Sequence, residues 1–487
     1  MIGLVRVRMA PSPTGDPHVG WARTALFNWL FARHEGGVFV LRIEDTDAAR
    51  SHEGAVQAFD EAFRWMGFTY DEGPTTGGPF GPYIQSERKA LHEAALADLL
   101  AEGAAYPCFC TAEELDAKRR AQRDAGEAPH YDGTCRRLAK EVATRRIEAG
   151  DPHVYRLKTP NEGQIIVHDV VRGEVAFDAR TIDDFVLVKT GGTATYNFAA
   201  VVDDAAMQIT HVIRGEEHLS NTPKQLLLYR ALGITPPIFV HIPMVLAPDH
   251  TKLSKRHGAT ALSEYRQLGY LPEALVNYLM LLGWHPGGDE EIFTLTDAAS
   301  RFRLEDIQKN AAIFDLSKLT WLNGHYLRSL STDDLVARSL PFLEQADLVH
   351  PPLSDSETAY IRKVVLAVRE RVSTLADVAE AATYFFKDVS SYDPKGVAKH
   401  FNREGAGGLL HLLAERLEGA SFEKEALEVL YTSLAEERGV KRGELIHPTR
   451  LAVTGRTMGP GLFDILEILG PERVISRLVR AADAACP

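Results

Sequence analysis

Three groups of side chains in this sequence have the types and spacing to do chemistry. His18 and Gly20 stand as H-x-G at the end of a loop punctuated by Pro11, Pro13 and Gly15. An imidazole can donate to a phosphoryl oxygen, and a glycine lets a ligand approach the backbone. Lys252 and Lys255 flank Ser254 in K-L-S-K-R, a pair of mobile point charges suited to phosphate. Cys108 and Cys110 form C-x-C, and Cys135 follows after 24 intervening residues in Y-D-G-T-C. With Tyr131 or His130 nearby, these thiols have the donor set for one tetrahedral Zn²⁺, although C-x-C is tighter than the usual pair. Each group also has a plainer reading: a solvated turn histidine, a basic loop, three reduced thiols without metal.

The elements around these residues place them. Apolar Val5, Val7 and Met9 alternate, which predicts a short strand with Arg6 and Arg8 on its other face. The prolines and Gly15 end it, and an amphipathic helix over 22–34, stopped by Gly36-Gly37, follows. Strand, tight loop and helix start are where α/β folds hold phosphate, because free N–H groups and the positive end of the helix dipole face the loop. The apolar run 38–43 predicts a second strand, with Glu44 at its carboxyl end in position for a substrate ammonium. One of Asp45, Thr46 and Asp47 would cap a helix over 48–66. A third strand over 210–213 places Arg214 and Glu216 at the same crevice, a helix over 221–231 carries Pro223 in its first turn, and the run 238–246 leads into K-L-S-K-R.

Between these halves, residues 86–190 combine helices, the cysteines and a turn-rich, strand-rich stretch over 154–188. After Ala261 the pattern turns helical, with short helices expected over 271–282, 296–302, 304–309 and 316–329. Beyond Ser331, apolar residues recur at three and four, with breaks at 350–352, 390–394 and 405–408. There is no fixed-period repeat.

Taken together and in this order, the two phosphate loops resemble the paired signatures of class I aminoacyl-tRNA synthetases. P-S-P-T-G-x-x-H-V-G ending at Gly20, R-I-E-D-T-D over 42–47 and Y-N-F-A-x-V-V-D-D over 196–204 make nearly the whole chain similar to bacterial glutamyl-tRNA synthetases. The resemblance implies an α/β nucleotide-binding, Rossmann-like catalytic domain with an α+β insertion, followed by an all-α carboxyl-terminal region. Its parts would be 1–85 plus 190–260 for catalysis, 86–189 for the acceptor stem, 261–330 for stem contact, and 331–392 with 393–487 for the anticodon. The implied activity joins L-glutamate to the 3′ end of tRNA(Glu) through a glutamyl-adenylate, using ATP and Mg²⁺.

The same resemblance implies roles. His18, Gly20, Lys252 and Lys255 would be catalytic, and Pro11, Thr14, Gly15 and Ser254 would join His18, Gly20 and Lys255 in holding ATP. Arg8, Ala10, Ser12, Glu44, Tyr196 and Arg214 would hold glutamate, and Arg369 and Arg371 the anticodon. Some relatives carry zinc at positions matching Cys108, Cys110 and Cys135. Arg137 stands where a histidine occurs in some of these, which makes Tyr131 the implied fourth ligand. Two positions depart from the class pattern: Trp21 replaces a second histidine, and K-L-S-K-R replaces K-M-S-K-S.

The 487 residues, 45% hydrophobic and 25% charged, suffice for roughly three to five domains. A net charge of −13 argues against nonspecific coating of nucleic acid. A tRNA partner needs a local basic patch, and 118–146 offers nine Lys or Arg against four Asp or Glu, where a solvated helical face is the plainer reading. Four cysteines, one of them Cys486 at the tail, are too few for a disulfide scaffold and favour a reduced compartment. No apolar run approaches a membrane span, and Arg6 and Arg8 interrupt the amino-terminal one, so a cytoplasmic monomer is expected. The alternatives are a form that also charges tRNA(Gln), a noncatalytic tRNA-binding protein, a paralogue that glutamylates a modified base, and a small-metabolite nucleotidyltransferase. Retention of the helical carboxyl region disfavours the last two.

Overall fold

The computed structural model describes residues 3–13, 15–45 and 54–485, and of Lys255 the backbone alone. It separates into two compact units. The first comprises the residues up to Glu264 together with Leu275–Asp315, and the second Tyr265–Ala274 together with the residues from Leu316 onward.

In the first unit β1 (Arg6–Met9) pairs in parallel with β2 (Val38–Leu41), Arg6 opposite Val38. The crossover between them is α1 (Val19–His34), which buries Ala22, Leu26, Phe27, Leu30 and Phe31. Trp21, at the position of the departure noted above, packs on Phe59 and Phe63 with ring centroids 5.1 and 5.0 Å away. Those phenylalanines belong to α2 (Ala55–Met66), whose start differs from expectation. Gly54 caps it at φ 88°, a left-handed conformation, so the described helix begins at Ala55, and the part of the expectation over 48–53 lies outside the described residues. Thr46 and Asp47 lie outside the described residues. Asp45 caps a different element, accepting from the Ser86 backbone N–H at 2.8 Å and its hydroxyl at 2.7 Å, in the turn Gln85–Arg88.

The chain continues through α3 (Lys89–Ala101), β3 (Ala105–Cys108), α4 (Ala112–Asp124), α5 (Lys140–Glu148) and β4 (Val154–Leu157) to β5 (Gln164–Asp169), β6 (Gly173–Asp178) and β7 (Val186–Val188). Strands β3, β4 and β7 form one antiparallel sheet. The hairpin β5–β6 goes elsewhere. It joins β8 (His211–Gly215) and β9 (Ile238–Ile242) in the order β6-β5-β9-β8, and β5 meets β9 in parallel at Asp169 and Phe239. Helix α6 (Tyr196–Ala206) precedes β8, and α7 (Thr222–Ala231), with proline in its first turn, joins β8 to β9. Thr210 ties β8 to β1, its N–H donating to the Arg6 carbonyl at 2.9 Å. The carboxyl ends of β1, β8 and β9 therefore open on one side.

After β9 come β10 (Val245–Leu246) and, in parallel with it, β11 (Ala312–Ile313). The helix expected over 304–309 is only a three-residue turn, Leu304–Asp306. The Gln308 N–H is drawn to the Gly283 carbonyl at 2.8 Å, and the segment then runs into β11, so tertiary pairing overrides helical propensity.

Among the described residues the second unit contains helices and no strand, from Leu316–Ser329 to Leu462–Ala484, the last kinked at Gly470 ahead of Pro471. Two of its helices start in capping boxes, Ser354 with Glu357 and Thr374 with Asp377. Its core is continuous and includes Leu343, Val364, Phe385, Leu413, Tyr431 and Leu466. No helix among the described residues is long and apolar enough to cross a membrane.

Candidate active site

His18 is the N-cap of α1, and its Nδ1 accepts from the Trp21 N–H at 3.3 Å. That bond leaves the proton on Nε2, facing outward as a donor. Burial, then the Lys252 ammonium, lower the pKa of the ring, although one edge is open to solvent and Glu217 pulls the other way. A neutral donor is thus maintained. Gly20 explains the H-x-G spacing: a Cβ there would lie 3.1 Å from His18 Cε1 and 3.2 Å from Nδ1. The backbone also joins the two phosphate loops. Val19 N–H donates to the Thr260 carbonyl at 3.0 Å, and Leu262 N–H to the Pro17 carbonyl at 2.9 Å.

Lys252 is exposed beside this loop, paired through its backbone with Leu246. The Lys255 side chain and Thr14 lie outside the described residues. His257, which the sequence reading passed over, braces the lysine loop. Its Nδ1 lies 3.2 Å from the Ser254 N–H, and its Nε2 lies 3.3 Å from the Asp249 carboxylate. Pro11 is buried and accepts from the Glu44 N–H at 2.9 Å, while Ser12 and Gly15 are exposed and Ala10 is half-buried.

Next to the loop, buried charges converge. Arg8 Nε lies 3.2 and 3.3 Å from the two oxygens of Asp204. Arg42, fully buried, spans Asp204 at 2.7 Å and Glu44 at 2.9 Å. Asp203 receives Arg88 at 2.7 Å, Gln85 at 2.8 Å and His92 at 3.0 Å. Burial raises the Glu44 pKa against the pull of Arg42. Burial alone would also raise Asp204, but Arg8 and Arg42 outweigh it and hold that carboxyl below its ordinary range. Tyr196, at the start of α6, has its phenol pushed up by burial and lies in the fields of Arg214, Glu44, Arg8 and Asp204. Arg8, Glu44 and Arg214 therefore all lie within electrostatic reach of Tyr196.

Arg214 lies within β8 and is held by His241, Thr222 and Gln225 at 3.1, 2.8 and 2.8 Å. Glu216 is instead a brace, taking the Met244 N–H at 2.8 Å and pairing with Arg172. His218, beside Tyr196 at 3.4 Å, is lowered to about 4 by burial and by Arg214.

Sequence reasoning gave no role to Arg42, Asp203, Asp204 or His241. A signal existed for the first three: an arginine closing an apolar strand and two acids inside an apolar helix must find partners when buried.

The comparisons with known proteins match this arrangement. Residues 4–321 fit the family model of tRNA synthetases class I (E and Q), catalytic domain, and residues 334–482 an anticodon binding domain. The chain belongs to the class I aminoacyl-tRNA synthetases of the E and Q group. It is 55% identical to a glutamate–tRNA ligase of Moorella thermoacetica, covering 98% of each chain. It is 52% identical to glutamate–tRNA ligase 1 of Caldanaerobacter subterraneus, over 99% of this chain and 98% of that one. A solved glutamate tRNA ligase of Elizabethkingia meningosepticum, in complex with its amino acid, superposes with a TM-score of 0.91 at 35% identity over 99% of each chain. ATP with Mg²⁺ is the general energy source of class I synthetases.

Away from this crevice the synthetase carries a cysteine cluster. Sulfurs of Cys108, Cys110 and Cys135 lie within 4.8 Å of one another, with Cys110 and Cys135 at 3.6 Å. Tyr131 Oη is 3.3 Å from Cys108 and 3.9 Å from Cys110. Hydrogen bonding to Cys135 first, then to Tyr131, the Cys110 backbone and the Arg156 side chain, lowers the Cys108 thiol to about 4, and the same pairing raises Cys135. Three sulfurs and a phenol gathered this closely suit a soft metal ion. His130, the other candidate, is exposed and held by Gln122. Cys486 lies outside the described residues.

In the helical unit, Arg369 Nη2 donates to the Arg328 and Leu330 carbonyls, and Arg371 two residues on is exposed.

Proposed function

We infer that this synthetase activates L-glutamate with ATP to glutamyl-adenylate and pyrophosphate, then transfers the glutamyl group to the terminal ribose of tRNA(Glu). The observation that carries the reading is that the buried guanidinium groups of Arg8 and Arg214 both lie within electrostatic reach of Tyr196, in the charged cluster beside the loop of His18. Guanidinium groups only donate, so they suit the two oxygens of a side-chain carboxylate and meet the NH₂ of glutamine donor against donor.

Glutamate's own carboxylate attacks the α-phosphorus, so catalysis is mainly positioning and charge stabilisation. His18 Nε2–H and the backbone around Gly20 hold phosphate oxygens, with Pro11, Thr14, Gly15 and Ser254 lining the nucleotide. Lys252 and Lys255 neutralise the pyrophosphate as it leaves. Glu44 takes the ammonium group, and Ala10 and Ser12 complete the amino-acid pocket. Mg²⁺ accompanies the ATP.

Zn²⁺ would be held by Cys108, Cys110, Cys135 and Tyr131, supplying a structural cross-link between the end of β3 and the turn at Cys135. Residues 86–189 contact the acceptor stem, 261–330 the stem, and 331–392 with 393–487 the anticodon, where Arg371 is better placed than Arg369 because its guanidinium is exposed. The protein works as a cytoplasmic monomer.

The deciding experiment is ATP–pyrophosphate exchange across all twenty amino acids, with and without tRNA(Glu) and tRNA(Gln). Exchange with glutamate that depends on tRNA(Glu) supports the reading. Exchange with another amino acid, or none, defeats it, and equal response to tRNA(Gln) makes the enzyme non-discriminating.

A further inference from the structure

The Arg214 guanidinium is aimed by a buried relay that starts on a different part of the chain. Asp169, the last residue of β5, points a carboxylate at His241 on β9. Its Oδ2 lies 2.7 Å from His241 Nδ1 and 3.0 Å from the His241 backbone N–H. Its Oδ1 takes the N–H groups of Val171 and Arg172 at 3.0 and 2.8 Å. Four donors on one carboxylate keep it ionised, so Nδ1 must carry the imidazole proton. Nε2 is then an acceptor, and Arg214 Nε–H meets it at 3.1 Å. The Thr222 hydroxyl sits 3.1 Å from the same nitrogen while accepting from Arg214 Nη2 at 2.8 Å. The His241 ring also lies parallel to Phe239, with centroids 6.2 Å apart, and is wholly buried, so it has little room to turn. These bonds engage Nε and Nη2 of Arg214 and leave Nη1 out.

We propose that Asp169 and His241 are positioning residues for amino-acid selection: they fix one imidazole tautomer, and that tautomer holds Arg214 in the orientation that receives the substrate's side-chain carboxylate. This rests on the reading that Arg214 meets that carboxylate. It also gives the β5–β6 hairpin a task, since pairing of β5 with β9 at Asp169 and Phe239 is what brings the carboxylate under His241.

The chemistry makes Asp169→Asn informative. Its amide nitrogen must face either two backbone N–H groups at the Oδ1 position or the His241 ring and backbone N–H at the Oδ2 position. The second conflict is smaller, because it sets one backbone N–H against the amide instead of two, and the imidazole can shift its proton to Nε2 and accept at Nδ1. Nε2–H then confronts Arg214 Nε–H, and the guanidinium is pushed off its aim. His241→Asn keeps a donor for Asp169 but loses the acceptor for Arg214. His241→Gln can present Oε1 near the former Nε2 position and so restore that acceptor.

The test is tRNA charging by the full-length enzyme, reading KM for glutamate, KM for ATP and the ratio of kcat/KM for glutamate over glutamine, with a melting curve for each variant. Asp169→Asn and His241→Asn should each raise the glutamate KM by about tenfold or more and reduce the glutamate preference, with the ATP KM within about twofold of the parent. His241→Gln should recover most of the loss, which a purely structural role would not predict. If Arg214→Ala raises the glutamate KM while Asp169→Asn and His241→Asn behave as the parent or lose ATP and glutamate together, the relay is refuted and Arg214 keeps its role. If Arg214→Ala leaves the glutamate KM unchanged, the reading of Arg214 falls and the relay with it. Asp169→Asn alone decides the matter should His241→Asn fail to fold.

Discussion

Gly20→Ala separates stability from catalysis in this enzyme. Gly20 is the second residue of α1, in ordinary helical conformation, so alanine is compatible with the backbone and gains up to about 1 kcal/mol of helix propensity. The added Cβ, however, would stand 3.1 and 3.2 Å from the His18 ring, which must move by a few tenths of an ångström. The ring can turn only by weakening the 3.3 Å bond from the Trp21 N–H, a loss of about 0.5–1.5 kcal/mol. The two effects nearly cancel, so the melting temperature should shift by no more than roughly 2–4 °C.

Activity should respond differently. If His18 Nε2–H donates to a phosphate oxygen as charge builds, misaiming it forfeits a charge-assisted bond of about 1.5–3 kcal/mol, or roughly tenfold to over a hundredfold in kcat. Pyrophosphate exchange with saturating tRNA and glutamate measures this. His18→Ala and the double variant complete a cycle, and if Gly20 acts only by clearing the imidazole, the second substitution adds nothing once His18 is gone. A Gly20→Ala enzyme within about twofold of the parent, or fully additive losses, would refute the account.

Two further outcomes are expected. Elemental analysis after exhaustive dialysis should find about one zinc per chain, lost or weakened in Cys110→Ser, and a metal-free parent with full activity would return these thiols to a plain core role. Acid should weaken the fold below about pH 4: Asp169, Asp203 and Asp204 would be raised by burial alone, yet their hydrogen bonds and neighbouring guanidinium or imidazole groups hold all three below their ordinary values. Their contribution is present above the unfolded carboxyl pKa near 3.9 and is lost as pH falls through the folded values, while Glu44, raised by burial, offsets part of it. Urea midpoints that are equal at pH 7 and pH 3 would contradict this.

The opening strand, loop and helix were legible because local chemistry alone specifies them: alternation for β1, prolines to end it, a long apolar period for α1. The helical carboxyl region was legible for the same reason, since periodicity and capping residues such as Ser354 with Glu357 are local signals. What escaped was pairing over distance. Nothing near Gln164–Asp169 says that this hairpin leaves β4 and β7 to extend the sheet of β8 and β9. The helix expected over 304–309 failed on the same ground, when the Gly283 carbonyl claimed the Gln308 N–H and the chain ran on to pair with β10 at Ala312 and Ile313. At the site, pattern placed Arg8, Glu44 and Arg214 at strand ends, but it did not assign Asp204 to Arg8 and Arg42 or Asp169 to His241.

Those pairings matter because they set the charge that a substrate must complete. In the buried cluster beside the His18 loop and the shell around it, the groups described above include four guanidinium cations, Arg8, Arg42, Arg88 and Arg214, and three carboxylates, Glu44, Asp203 and Asp204. Arg42 and Arg88 are satisfied by the carboxylates, and Arg8 shares Asp204. Arg214 is different: its bonds go to neutral acceptors, a histidine, a threonine and a glutamine. Burial already disfavours its charge, to the extent that its pKa is lowered. A buried cation held only by neutral groups is poorly compensated, and a carboxylate from outside relieves that cost where an amide cannot. On the proposed reading, selection for glutamate over glutamine draws on this weakly compensated charge as well as on donor geometry. A neutral His241 fits that reading: a second positive charge beside Arg214 would compete with it for a carboxylate, and burial together with Arg214 itself lowers the imidazole pKa against the pull of Asp169.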